Sequence, residues 1–184
     1  MSTVQFDITY SESRSRLTNL LRIILAIPHL IIANLLLQVA QVLAVIQWFI
    51  ILITGKRNKA LFDLSSQWLA YAASTNSYAG VMFDQYPPFV TVSGLSALHY
   101  DCQYEASANR LTNLLRLIWA IPAMIIGSVL ILVGYLVTAI SWIVIVIIGK
   151  HPKGMFDFLV KVHRYAVRLY AYLLLLTDTY PKFE

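Results

Sequence analysis

One segment of this chain occurs twice. Arg16-Leu17-Thr18-Asn19-Leu20-Leu21-Arg22 returns 94 residues later as Arg110-Leu111-Thr112-Asn113-Leu114-Leu115-Arg116. The same offset carries Ala26-Ile27-Pro28 onto Ala120-Ile121-Pro122, Trp48 onto Trp142 and Gly55-Lys56 onto Gly149-Lys150. It carries Phe62-Asp63 onto Phe156-Asp157, and Asp84, Tyr86, Pro87 and Phe89 onto Asp178, Tyr180, Pro181 and Phe183, with no insertion anywhere. Self-similarity at a fixed period means two copies of one structural unit. The sequence divides into units over residues 1–93 and 94–184.

Each unit has four parts. An alternating stretch comes first, Val4 to Tyr10 or Leu98 to Tyr104, and period-two alternation predicts a half-buried strand. These stretches are expected to form a small cytosolic β-sheet joining the halves. A basic segment follows, then a long apolar run, then an amphipathic segment predicted as a helix over 60–83 or 155–177 that ends in Tyr-Pro.

The apolar runs decide the environment. Ile23 to Gly55 and Leu117 to Gly149 carry no charged residue. Hydrophobic residues make up 59% of the chain and charged ones 12%, against roughly 45–50% and 25% in soluble domains. Lipid is the expected solvent for much of the surface. One straight helix over such a run would be about 50 Å long, and the hydrocarbon core is about 30 Å thick. Two readings follow. Either each run is a transmembrane helical hairpin, over 16–55 and 110–149, with its tip near Ala33-Asn34 or Gly127-Ser128, where turn-tolerant residues stand. Or the helix kinks at Pro28 or Pro122 and crosses once.

Charge position favours the hairpin. Arg14, Arg16 and Arg22 precede the first run, and Lys56, Arg57 and Lys59 follow it; Arg110 and Arg116 precede the second, and Lys150 and Lys153 follow it. Hairpins put all of these on one side, which the positive-inside rule makes cytoplasmic together with both termini. An even number of crossings per unit would make the halves parallel repeats about an axis along the membrane normal. The start of the chain lacks the charged n-region and apolar core of a signal peptide. The single cysteine, Cys102, allows no intrachain disulfide. The net charge of +5 comes without nucleic-acid-reading motifs and points to anionic lipid headgroups.

The stretches Arg16–Pro28, Thr54-Gly55-Lys56-Arg57-Asn58 and Tyr86-Pro87-Pro88-Phe89 resemble a bacterial membrane family, domain of unknown function 4389, in two tandem copies over nearly the whole chain. The first unit departs from the family's pattern in its fourth part, with Leu69-Ala70-Tyr71 and Ser74 where the second has His163-Arg164-Tyr165 and Arg168. The resemblance implies a bacterial membrane protein and no particular activity.

Several polar residues need an explanation. Arg22 and Arg116 lie close to the hydrocarbon; Arg16 or Arg22 is expected to pair with Asp84, and Arg110 or Arg116 with Asp178. Asn34, Gln38 and Gln41 fall on one helix face and form an expected intramembrane polar stripe, bonded across helices or lining a ligand pocket. Lys161, Arg164 and Arg168 stand in one stripe of the last helix, the pattern of an interfacial helix on an anionic leaflet. With Lys56, Arg57, Lys59, Lys150 and Lys153 they are the expected headgroup contacts. Trp48, Trp142, Tyr86 and Tyr180 look like interfacial anchors.

His29, His99, His151 and His163 show no metal-ligand spacing, and no catalytic triad is arguable from spacing. The loop Gly149–Gly154 lacks the upstream glycine and following Ser or Thr of a phosphate-binding loop. The expectation is therefore a non-enzymatic multi-pass protein of the bacterial inner membrane, without cofactor or metal. It would act as a scaffold or accessory subunit for another membrane protein, with homo-oligomers possible. The alternative is binding or transport of a lipid or other apolar ligand between the repeats.

Overall fold

The computed structural model describes residues 3–183; residues 1, 2 and 184, at the outer ends of the two units, lie outside the described residues. The elements are β1 (Val4–Ile8), α1 (Arg16–Thr54), α2 (Lys59–Ala79), β2 (Leu98–Cys102), α3 (Arg110–Ile148) and α4 (Lys153–Leu173). The order strand, long helix, shorter helix occurs twice, as the repeat requires.

The expected hairpins are not there. α1 and α3 are single helices of 39 residues that run through Pro28 and Pro122, and through the predicted tips. The physical reason lies in packing. The buried residues of α1 are Asn19, Arg22, Ala26, His29, Ala33, Ala40, Ala44, Gln47 and Ile51. Their three-and-four spacing continues without a phase break across Ala33-Asn34, so one face stays aligned from end to end. The small residues at the predicted tips serve close approach instead. Ala33 packs against Tyr71 and Ala72, and Gly127 lies against Leu169 and Tyr165. The helices start at caps: Ser15 accepts a hydrogen bond from the Thr18 amide, and Asn109 from those of Leu111 and Thr112. They stop at Gly55 and Gly149, whose φ of 71° and 76° is the left-handed C-terminal conformation that glycine adopts without a Cβ clash. The fourth segments are helical over shorter spans than 60–83 and 155–177, because the chain turns at Val81 and Leu175.

α2 returns along α1 and α4 along α3. The Tyr71 hydroxyl lies 2.8 Å from His29 Nδ1, and the Asn58 amide donates to Gln47 Oε1 near the other end. The Tyr165 hydroxyl donates to the carbonyl of Ala123. Among the glycines, Gly127 has the least room for a side chain. A Cβ there would lie 2.8 Å from Leu169 Cδ2 and 3.3 Å from Tyr165 Cε1. Gly127→Val is expected to destabilise by about 1–3 kcal/mol, the usual cost of overpacking, and to lower the thermal unfolding midpoint in detergent. Gly154→Ala, with nothing within 4 Å of the added Cβ, is the control.

β1 and β2 pair antiparallel, as the alternation predicts, with Val4, Phe6 and Ile8 turned inward. Phe6 pairs with Tyr100, its own counterpart 94 residues on. A pseudo-twofold axis therefore passes through that pair. The long helices obey the same symmetry and are antiparallel. Asn19 of α1 meets Trp142 of α3, and Trp48 of α1 meets Asn113 of α3. β1 rests on α4, where Arg164 Nε donates to the Phe6 carbonyl, and β2 on α2, where Ser66 Oγ is 3.1 Å from the Tyr100 hydroxyl. The result is three layers: the long helices, then α2 and α4, then the sheet above the middle of the long helices.

Candidate functional site

The charged residues of the interior gather at two places related by the repeat. At the first, Arg22 Nη1 donates to the carbonyls of Tyr78 and Phe83, and its Nη2 lies 2.5 Å from Asp84 Oδ1. Asp84 Oδ2 accepts the amide of Ser15, the residue that caps α1. At the second, Arg116 Nη1 donates to the carbonyls of Tyr172 and Thr177, and its Nη2 lies 2.5 Å from Asp178 Oδ1. Asp178 Oδ2 accepts the amide of Asn109. The arginine side chains are 1% and 2% exposed. Each guanidinium thus caps the C-terminal carbonyls of the shorter helix, where the helix dipole favours a cation. It also stacks on Tyr78 or Tyr172. Each aspartate fastens that cation to the start of the long helix. The turns gripped this way hold Val81 and Leu175 at φ of 58° and 64°. This left-handed conformation is costly for a β-branched valine.

A second arginine stands near each aspartate, supplied from a different position, and only the one near Asp178 pairs with it. Arg57 Nη2 lies 2.5 Å from Asp178, while its other nitrogens donate to the carbonyls of Leu175, Glu105 and Ser107. Arg57 was expected at lipid headgroups. It is 3% exposed because four of its N–H donors are engaged inside, where a guanidinium matches converging carbonyls. Its counterpart is His151, and near Asp84 the second arginine is Arg14, which donates to the Met82 carbonyl. Arg14 in turn corresponds to Ala108. The two repeats therefore solve one electrostatic problem from opposite ends. Burial, then the cations of Arg14 and Arg22, push the His151 pKa down to about 4.

Arg16 and Arg110 do not pair with the aspartates. Their Nη2 groups donate to the carbonyls of Ile148 and Ile53, at the C-terminal end of the opposite long helix. Trp48 and Trp142 are clamps between the repeats. Each indole donates to the carbonyl of Asn113 or Asn19, whose side chain donates back to the tryptophan's own carbonyl. Sequence reading named both the tryptophans and the asparagines as repeated residues. It had no means of seeing that each asparagine belongs to the tryptophan of the other unit.

Asn34, Gln38 and Gln41 stand on the outside of α1. The Asn34 amide donates to the Leu30 carbonyl of its own helix, with no bond across to a neighbour. Lys59 and Lys153 pair with Asp63 and Asp157 one turn on, and Lys150 pairs with Glu12, all exposed. Lys56 and Lys161 are exposed. Arg164 holds β1 through the Phe6 carbonyl and Asp7, and Arg168 donates to the Lys182 carbonyl. Two of the three residues of the expected basic stripe thus tie down the sheet and the C-terminal segment.

A cleft of about 410 Å³ lies between α2 and β2, lined by Ser66, Gln67, Tyr100 and Cys102 among others. Burial pushes the Cys102 thiol up to about 11, so it is a thiol and not a nucleophilic thiolate at neutral pH. Among the described residues no three His, Cys, Asp or Glu side chains gather as they would around a metal ion.

The largest surface feature is apolar. Both long helices are long and apolar enough to cross a membrane, and only 17% of the most apolar window of either is buried. Leu17, Leu35 and Ile53 of α1 and Leu111, Val129 and Ile147 of α3 are all more than half exposed. Soluble monomers rarely expose an apolar patch of more than about 300–600 Å², and this one follows two helices of about 58 Å each.

The family described as domain of unknown function (DUF4389) matches residues 16–91 and again 110–184. The chain belongs to that family and carries two tandem copies of its domain. No curated protein and no solved structure matches it.

Proposed function

We propose that this two-copy DUF4389 protein is a non-enzymatic membrane scaffold or accessory subunit that associates with other membrane proteins. One observation carries the reading: two long helices bare an apolar face over their whole length, while the buried charges on the opposite side are spent on one another and on backbone carbonyls. Here the buried arginines hold helix ends.

The location that fits is the bacterial cytoplasmic membrane. The apolar face would meet lipid or a lipid-embedded partner, and the layer bearing Lys56, Lys59, Lys150, Lys153 and Lys161 would face the cytoplasm under the positive-inside rule. Anionic headgroups would meet these lysines at its rim. Native mass spectrometry of the protein extracted from its own membrane in mild detergent tests the reading. A stoichiometric membrane-protein partner is the expected result. A lone monomer or homo-oligomer carrying one defined lipid would overturn it in favour of ligand handling.

A further inference from the structure

The geometry points to a specific seat for the apolar face: we propose that α1 and α3 lie in the plane of a single anionic leaflet and do not cross the bilayer. The inference rests on the membrane part of the reading above and is independent of any protein partner.

Three observations carry it. The first is length. Each helix of 39 residues is about 58 Å long, so fitting it across a core of about 30 Å would need a tilt near 60°, beyond the roughly 0–40° seen in membrane helices.

The second is what lies at mid-length. Val162 and Leu169 of α4 pack on Gly134 and Gly127, near the centre of α3. Between them Arg164 reaches the sheet at Phe6 and Asp7. The sheet's pseudo-twofold pair, Phe6 and Tyr100, stands over the same region. If the helices crossed, Asp7, Asp101, Lys161 and Arg164 would lie at the bilayer centre, at roughly 2.5–3.5 kcal/mol for each charge. The two edges of a two-stranded sheet would also be open to hydrocarbon, which spanning structures avoid.

The third is where the exposed cations stand. Arg16 and Lys150 flank one end of the antiparallel pair, and Arg110 and Lys56 the other, all exposed. Crossing would divide them between two faces. Lying flat puts all four at one headgroup layer, with the pseudo-twofold axis along the membrane normal. An in-plane helix sinks about 5–10 Å into the headgroup and acyl boundary. That depth submerges α1 and α3 and leaves α2, α4 and the sheet at or above the interface.

The test uses the full chain in its Cys102→Ser background, reconstituted in sealed vesicles of phosphatidylcholine and phosphatidylglycerol. Ser11→Cys and Glu105→Cys mark opposite ends of the long-helix pair, and Gln5→Cys marks the sheet; all three positions are exposed. Within any one vesicle population, a membrane-impermeant maleimide is expected to label the three to the same extent, within about twofold. Separate Leu17→Cys, Leu35→Cys and Ile53→Cys variants, each carrying a fluorophore, report depth by quenching from brominated lipids. Their depths are expected to agree within about 5 Å, whereas crossing would put Leu35 about 15 Å deeper than the ends. Labelling of Ser11→Cys and Glu105→Cys from opposite sides would overturn the in-plane seat while leaving the membrane reading intact. Release of the protein from the vesicles by alkaline carbonate, with its apolar faces buried in an oligomer, would overturn both.

Discussion

Asp178→Ala is expected to lower the thermal unfolding midpoint more than either Asp84→Ala or Asp157→Ala. The substitution strands two buried guanidinium groups at once, since Arg116 and Arg57 each approach the same Oδ1 at 2.5 Å and are 2% and 0% exposed in their side chains. Breaking a buried pair from one side costs about 3–5 kcal/mol, because the remaining charge stays desolvated. That is a large part of the roughly 5–15 kcal/mol by which a domain is stable. Asp178 also accepts the Asn109 amide, so the start of α3 loses a partner too. Circular dichroism melts in detergent check the prediction. Asp84→Ala should have the smaller effect, because Asp84 is paired at salt-bridge distance with Arg22 alone. Asp157→Ala is the surface control. Its one-turn pair with Lys153 is exposed, and such pairs contribute about 0.3–0.5 kcal/mol. Equal midpoints for Asp178→Ala and Asp157→Ala would remove the aspartate from the centre of the fold's energetics.

His151→Arg should be nearly as damaging, and a second substitution should rescue it. His151 occupies the place that Arg57 holds in the first unit, beside Arg14 and Arg22. A third cation there would have only Asp84 to answer it. Replacing Arg14 by alanine at the same time recreates the arrangement around Asp178, where Arg116 and Arg57 stand with Ala108. The double variant Arg14→Ala/His151→Arg is therefore expected to melt well above His151→Arg alone. The pH dependence supplies an independent reading. The folded His151 pKa, about 4, lies below the ordinary 6.5, so the folded state favours the neutral ring. The stability it confers is complete above pH 6.5, falls as pH drops through the window from 6.5 to 4, and is lost below. The ceiling on that loss is about 3 kcal/mol. In the double variant this contribution disappears, and stability should be flatter between pH 6.5 and 4. Unchanged acid sensitivity would place its source elsewhere.

Both predictions draw on pairs that were half legible beforehand. The repeat made Arg22 with Asp84 and Arg116 with Asp178 reasonable partners, since each pair is one buried cation and one acid in the same unit. Arg57 was misread because its sequence neighbours Lys56 and Lys59 are surface lysines. Nothing local says that the carbonyls of Leu175, Glu105 and Ser107 converge on it from the other unit. The hairpin was misread for a related reason. Asn34, Gly127 and Ser128 are turn-tolerant by type, yet the buried stripe from Asn19 to Ile51 keeps its phase through that point. That unbroken phase was the available sign of one long helix. Likewise Trp48 and Trp142 have the composition of interface anchors, and their partners are asparagines of the opposite repeat.

The sequence alone determined the duplication, the strand that opens each unit, the helical character of its fourth segment, the helix stops at Gly55 and Gly149, and the apolar surface. These follow from periodicity, capping and hydrophobicity, which act over a turn or two of chain. Only the tertiary structure decided that the long helices are unbroken and antiparallel, that the sheet sits above their middle, and that charged residues of one unit close the cluster of the other. Those depend on contacts between residues about 60 to 160 positions apart, for which the chain carries no local signal.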